Sequence, residues 1–391
     1  MKKLFFVFVF FILCFTSLIY IFDASYLFQG LKCTYLRGQN SAQIDDHVFF
    51  YSREVEAKSP FEIPVGYNYN SFVPSDTLDR VFKKSKTIAF LVVQNDSVRF
   101  EKYWKKGNKN SLTNSFSIAK SITSLLVGCA IDSGFIKDVN QSVFDFLPEL
   151  EPFEGGDVKI KHLLEMSSGL DWLEHYKNPL SITAKSYYGT NLKNLILNTE
   201  FISPAGEKFN YQSGNTQLLG VILERAVGES VSSFTSRVLW SKIGARKNAL
   251  WTTDYNGGLE KTFCCFNSNA RDFSKVGLLM LNRGAFFGQS VVSGDYVDWL
   301  LSKPTLYSDG DSLVKVIDHY SNGWWVASVM EQSVFYARGF NGQYIVVIPE
   351  LNLVFVRLGM RENEKSSNNN DYRLTDNLKF FITSIIKEYS S

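Results

Sequence analysis

The sequence predicts a mixed α/β (α+β) fold, one antiparallel sheet built from both ends of the chain with a mainly helical segment inserted between them. Three observations predict it. Strand-like runs occur at 87–104 and again at 323–358, helical and loop patterns fill most of the stretch between, and one more amphipathic helix follows the second group of strands.

At the N-terminus, Met1-Lys2-Lys3 is followed by an apolar run from Leu4 to Phe22 with no charge before Asp23. At ~1.5 Å per residue a helix of this length nearly spans a ~30 Å hydrocarbon core. The exit Tyr20-Ile21-Phe22-Asp23 has no small-residue cleavage site, and Asp23-Ala24-Ser25 offers only a weak one. Residues 1–25 are therefore expected to be an uncleaved membrane anchor, with Lys2 and Lys3 held in the cytoplasm. In a bacterium this gives a single-pass inner-membrane protein with its domain in the periplasm; secretion after cleavage is the alternative. Residues 26–80, which include Pro60, Pro64 and Pro74, read as a juxtamembrane linker and an arm lying on a domain at 81–391.

Thr87 to Gln94 is apolar and β-branched, Asn95-Asp96-Ser97 is turn chemistry, and Val98 to Trp104 resumes the strand pattern, which is a hairpin. From Ser117 to about Ser133 the pattern is helical, with Ile118, Ile122, Leu125, Leu126 and Cys129 on one side and Gly134 as the stop. Strands return at 323–327, 335–337, 344–348 and 353–358. The closing helix puts Leu374, Leu378, Phe381, Ile382 and Ile385 on one face.

Composition excludes several function classes. A chain of 391 residues that is 45% hydrophobic is neither disordered nor fibrous. With 41 basic against 39 acidic side chains there is no field to gather nucleic acid. Five cysteines in this length are not a disulfide scaffold, and the adjacent Cys264 and Cys265 are not spaced as zinc ligands. Cys33, Cys129, Cys264 and Cys265 read as small buried hydrophobes. No metal is expected on this count.

Ser117-Ile118-Ala119-Lys120 sets a serine and a lysine three residues apart at a helix start, on one face. Backbone NH groups of a first helical turn can stabilise an oxyanion, and a partly desolvated lysine can take the serine proton. The same spacing recurs at Ser312 to Lys315 and at Ser384 to Lys387, but neither copy opens a long apolar helix after a hairpin. A polar loop, Phe209 to Gly214, then enters another apolar helix, and its Tyr211 is a candidate base; Tyr320 is a rival with similar spacing.

The stretches around Ser117, Tyr211 and Gly339-Phe340-Asn341-Gly342-Gln343 together resemble the serine β-lactamase and penicillin-binding-protein-like superfamily, closest to its class C-like esterases and 6-aminohexanoate-dimer hydrolases. The run His162 to Trp172, Ala270-Arg271-Asp272-Phe273, and Gly342-Gln343 before Pro349 add to the likeness, which covers roughly residues 85–360. It implies the β-lactamase-like fold and a serine hydrolase that cleaves a small ester or amide through an acyl-enzyme, chemistry that requires no organic cofactor. By resemblance Ser117, Lys120 and Tyr211 are catalytic, and the backbone NH groups of Ser117 and Phe340 form the oxyanion hole. Tyr176, Ser213, Asn215, Arg338, Gly339 and Asn341 border the substrate.

The sequence departs from the superfamily at two places. Ser213 stands where a β-lactamase Y-x-N motif has asparagine, and Arg338-Gly339-Phe340 stands where K-T-G is usual. These departures weaken a β-lactamase or peptidoglycan peptidase activity, which stays as an alternative beside a non-catalytic, membrane-anchored binding module. Gly-x-Ser-x-Gly is absent, which argues against an α/β-hydrolase triad. His162 is expected to cap or pack a helix, Asp171 and Asp272 to tie loops, and Trp324 and Trp325 to be core or pocket wall. Oligomeric state is open.

Overall fold

The computed structural model describes residues 3, 6, 10, 16, 17, 19–105, 107–302, 306–308, 317–362 and 374–390. Most of the apolar run expected to be an anchor, and the serine–lysine copy at 312–315, lie outside the described residues. Among the described residues, no helix is long and apolar enough to cross a membrane.

The main sheet has seven described strands: β1 (Thr87–Gln94), β2 (Ser97–Tyr103), β3 (Tyr320–Ser321), β4 (Trp324–Val329), β5 (Gln332–Gly339), β6 (Gln343–Ile348) and β7 (Leu353–Gly359). Their order is β3-β4-β5-β6-β7-β1-β2, with every neighbour antiparallel. The β7–β1 ladder, Val354 opposite Val93 and Val356 opposite Leu91, joins the two ends of the chain. The hairpin β1–β2 turns on Asn95 and Asp96, both at positive φ, as a two-residue turn between twisted strands requires.

Strand alternation sends Leu91 and Val93 into one core and Phe90 and Val92 into a second, on the opposite face of the sheet. That is why β1 reads as a nearly continuous apolar run. On the first face lie α1 (Ile118–Asp132) and α3 (Ala270–Leu281), and α2 (Ser213–Val227) packs against α1. The second face is covered by α4 (Asp376–Tyr389), through Leu378, Phe381, Ile382 and Ile385.

Helix α1 departs from the one-sided pattern read in the sequence, because every residue from Ile118 to Ala130 is buried. Its hydroxyls allow this by bonding to backbone. Ser121 donates to the Gly323 carbonyl at 2.7 Å, Thr123 to Ala119 at 2.9 Å and Ser124 to Ser121 at 2.8 Å.

A second sheet was not legible in the sequence, since its strands are only two to four residues long. It runs in the order Ser52–Val55, Ala249–Thr252, Phe266–Ser268, Thr113–Asn114. It places Asn114 beside the start of α1 and takes the arm into the fold. The arm adds a helix at Tyr26–Cys33, the buried Asp46 paired with Arg37 at 2.9 Å, and Arg53 paired with the buried Glu260 at 2.8 Å. Cys33 and Cys129 are free and buried, as read from the sequence. Cys264 and Cys265 are buried too, but they are disulfide-bonded to each other, which corrects their reading as plain hydrophobes. Their Cα atoms are 3.7 Å apart, closer than ordinary disulfide partners, so no spacing rule looks for such a bond.

Candidate active site

Chain direction changes sharply where β-structure gives way to α1. Phe116 takes φ 47°, uncommon for a bulky side chain, and its NH is held by the Asn114 side-chain oxygen at 2.9 Å. Asn114 is anchored in turn by its own amide, which donates to the Tyr187 hydroxyl at 3.2 Å, while that hydroxyl donates to Asp46. Ser117 follows as the last residue before the helix. The NH groups of Ile118, Ala119 and Lys120 are spent on the carbonyls of Ser115, Phe116 and Ser117. Of the first-turn donors, the Ser117 NH is the one with no partner among the described residues.

The end of β5 supplies the second donor. A Cβ on Gly339 would stand 2.1 Å from the Ser115 carbonyl oxygen, so only glycine lets this strand lie against the segment that carries Ser117. Phe340 comes next, its ring edge-on to Phe116 at 5.5 Å, and its NH also lacks a partner among the described residues. The following turn uses Asn341 and Gly342 at positive φ and is clamped from below by the buried Arg357. That guanidinium donates to the carbonyls of Asn341 at 2.9 Å, Gly342 at 2.6 Å and Ser85 at 2.6 Å.

Lys120 Nζ is the hub. It lies 3.1 Å from Ser117 Oγ, 3.1 Å from Ser213 Oγ and 2.9 Å from the Phe263 carbonyl oxygen, and 5.1 Å from the centre of the Tyr211 ring. Burial pushes its ammonium down to about 8, with the Glu174 carboxylate opposing. Burial pushes the Tyr211 phenol up, with the Ser117 hydroxyl, to which it hydrogen-bonds, partly offsetting. At neutral pH Tyr211 is thus a neutral phenol, and Lys120 is the group nearer to accepting the Ser117 proton.

Of the expected substrate-side residues, Tyr176 is 58% exposed and stacks on Phe340 at 6.2 Å. Arg338 is half-buried, with its guanidinium 5.8 Å from the centre of the Trp325 ring. Trp325 lies 5.5 Å from Tyr211, and both it and Trp324 are buried in the core. Three side chains are engaged by the protein itself. Ser213 is buried and belongs to the lysine's own contacts. Asn215 is fully buried in α2, accepting from Ser168 and facing Met166 and Gln212. Asn341 donates its amide to the Ala42 carbonyl of the arm at 3.1 Å.

His162 accepts the Lys159 NH at 3.2 Å and caps its short helix, and Asp272 accepts the NH groups of Arg246 and Lys247, which ties a loop to α3. Asp171 is exposed and contributes its backbone NH to the Glu200 carbonyl. Tyr320 packs edge-on behind Tyr211 at 6.0 Å. The last serine–lysine copy makes no site: Ser384 is half-buried and Lys387 exposed on α4.

Sequence reasoning missed Glu174, the Phe263 carbonyl and Arg357. Glu174 accepts Ser213 NH at 2.8 Å, Ser213 Oγ at 2.7 Å and the Trp172 indole NH at 2.8 Å. A glutamate two residues beyond Trp172 was the only available signal for it. A backbone carbonyl gives no signal in sequence.

Comparison with known proteins bears on family and fold. A sequence profile of the family described as beta-lactamase matches residues 78–378. The 6-aminohexanoate-dimer hydrolase of Paenarthrobacter ureafaciens is 29% identical over 301 residues, covering 72% of this chain and 74% of that protein. Among solved structures, a candidate 6-aminohexanoate-dimer hydrolase of Bacillus anthracis superposes with a TM-score of 0.73 at 23% identity, covering 91% of this chain and 96% of that one. A family VIII carboxylesterase superposes with a TM-score of 0.58 at 14% identity, covering 81% and 98%. The last two likenesses concern the fold.

Proposed function

The chain belongs to the beta-lactamase family, and from that premise we propose that it is a serine hydrolase of small esters and short linear amides, acylated on Ser117. The observation that carries this reading is Lys120 Nζ, buried and 3.1 Å from Ser117 Oγ at the opening of α1. Ser117 Oγ attacks the substrate carbonyl carbon while Lys120 takes its proton, and the carbonyl oxygen turns toward the NH groups of Ser117 and Phe340. The proton returns to the departing alcohol or amine through the neutral Tyr211 phenol. Water, deprotonated by the same pair, then releases the acid and restores Ser117. Tyr176, Phe340 and Trp325 form the apolar walls around the acyl group.

The name of the Paenarthrobacter relative supports a linear amide as the second substrate class. Penicillins are poor candidates, since Ser213 and Arg338-Gly339-Phe340 replace the groups that orient a lactam and its carboxylate. Losing two hydrogen bonds to such groups costs about 2–5 kcal/mol of oriented binding. The test is a panel of short-chain aryl esters, a linear amide dimer and nitrocefin, with a fluorophosphonate label to locate the nucleophile. We expect ester turnover, labelling at Ser117 and negligible nitrocefin hydrolysis. Labelling elsewhere, or nitrocefin cleaved at the ester rate, would overturn the reading.

For location, we propose that the apolar run Leu4 to Phe22 anchors the protein with its domain on the outer side. An alkaline phosphatase fused to the C-terminus should be active; an inactive fusion reverses the orientation.

A further inference from the structure

The contacts of Glu174 reach beyond holding a loop. Both carboxylate oxygens are used by donors: Oε2 takes the Ser213 NH and the Trp172 indole NH, and Oε1 takes the Ser213 hydroxyl. A serine hydroxyl has one hydrogen. If that hydrogen is committed to Glu174, Ser213 Oγ faces Lys120 with lone pairs only. The Phe263 carbonyl oxygen is likewise only an acceptor. A neutral lysine has two N–H bonds and one lone pair; two of its three neighbours demand the hydrogens, so the lone pair is left for the third, Ser117 Oγ.

We infer that Glu174 is a positioning residue of the hydrolysis: by fixing the Ser213 hydroxyl as an acceptor, it aims the Lys120 lone pair at the Ser117 proton. The inference rests on the proposed roles of Ser117 and Lys120 and adds a residue that the superfamily motifs do not mark. It also gives Ser213 a part unlike the amide usually found there, because a hydroxyl needs a third group to fix its direction and an amide does not.

Glutamine at this position reverses the polarity. Its single oxygen is claimed by the two NH donors at Oε2, so its NH2 faces Ser213 and donates to the hydroxyl. Ser213 then turns its own hydrogen toward Lys120 and competes with Ser117 for the lone pair. Two readouts follow. The plateau of kcat/KM for an aryl ester should fall by on the order of 100-fold in Glu174→Gln, the usual consequence of a misaligned catalytic group. The acid limb of the pH profile, where Lys120 loses its proton, should move to lower pH, because a negative charge that favours the ammonium is gone. Ser117, Ser213, the Phe263 carbonyl and the Tyr211 and Phe263 rings also face Lys120 without charge at neutral pH; Tyr176 lies by Glu174, and Arg338 acts on both tyrosines.

The test is a double-mutant cycle of Glu174→Gln and Ser213→Ala in the full chain, with pH profiles, pre-steady-state acylation and fluorophosphonate labelling. In the Ser213→Ala background, Glu174→Gln should produce no further loss of plateau, because the hydroxyl through which it acts is absent. Glu174→Asp, which keeps the charge but shortens the reach, should lose plateau while leaving the acid limb in place, and it serves if Glu174→Gln fails to fold. A wild-type profile in Glu174→Gln, or equal losses with and without Ser213, would overturn the inference. Failure of the wild-type protein to label at Ser117 would instead overturn the proposed function, and thermal melts separate either from unfolding.

Discussion

The Lys120 ammonium is costly to fold, and that cost is what makes it useful. Burial lowers it to about 8, against ~10.4 in an unfolded chain. Below about pH 8 both states hold the proton and the folded state bears the full desolvation penalty. Between about 8 and ~10.4 the unfolded chain binds one proton more, so this group's contribution to stability rises with pH. Lys120→Met should therefore stabilise the protein at pH 7 by about 1–3 kcal/mol, a gain that fades by pH ~10.4, while abolishing acylation. Thermal melts across pH check the first half and ester assays the second. In the wild type, kcat/KM should rise through about pH 8. Ser117→Ala should abolish labelling with the melt unchanged, since a half-buried hydroxyl leaves no large void. Tyr211→Phe should depress turnover strongly. Tyr320→Phe should not, because the buried Tyr320 hydroxyl has no partner among the described residues. Equal losses in the two tyrosine variants would leave Tyr211 without its role.

At the scale of elements, the geometry of the proposed site depends on how closely β5 approaches the start of α1. In Gly339→Ala the new methyl meets the Ser115 carbonyl, and the strand end must withdraw, taking the Phe340 NH with it. The expected result is a fall in kcat of about 10- to 100-fold with KM little changed, the signature of a displaced oxyanion donor. A drop in KM-dependent binding alone would count against it. Arg357→Leu strips the donors from the carbonyls of Ser85, Asn341 and Gly342 at once and should cost about 3–5 kcal/mol in a chemical denaturation curve. The longer strands of the main sheet and α1 were legible from their apolar runs and flanking turn residues, and Ser117, Lys120 and Tyr211 from the motifs they sit in. Arg357 was not. A lone arginine in an apolar strand says nothing of the turn sixteen residues earlier that it supports. Glu174 and the Phe263 carbonyl were hidden for the same reason: their meaning lies in partners distant along the chain. Asn215 and Asn341 show the converse, polar residues in the right motif whose amides the fold uses for itself.

Over the whole molecule, the arm supports both segments of the proposed active site. Its Ile44 carbonyl accepts the Asn114 NH at 2.8 Å, its Ala42 carbonyl accepts Asn341, and its Asp46 closes the chain through Tyr187 to Asn114. Both sides of the proposed oxyanion hole therefore lean on the segment that the sequence reads as a linker and an arm lying on the domain. A chain beginning at residue 61 should lose most ester turnover and melt earlier, whereas one beginning at residue 23 should keep both. Matched activity of the two shortened chains would show the arm to be dispensable.

The pairing of Thr87 with Gly359 also governs when the enzyme can come into being. On a ribosome the first hairpin emerges well before Leu353–Gly359, the neighbour for its open edge. At ~5–20 residues per second the wait is on the order of ten seconds or more. During it, the nascent protein displays an apolar strand with unpaired backbone, the kind of edge that recruits other chains. A message interrupted before the codon for Leu353 should yield aggregates and no partial activity, and slower growth in the cold, with chaperones in excess, should raise the soluble yield.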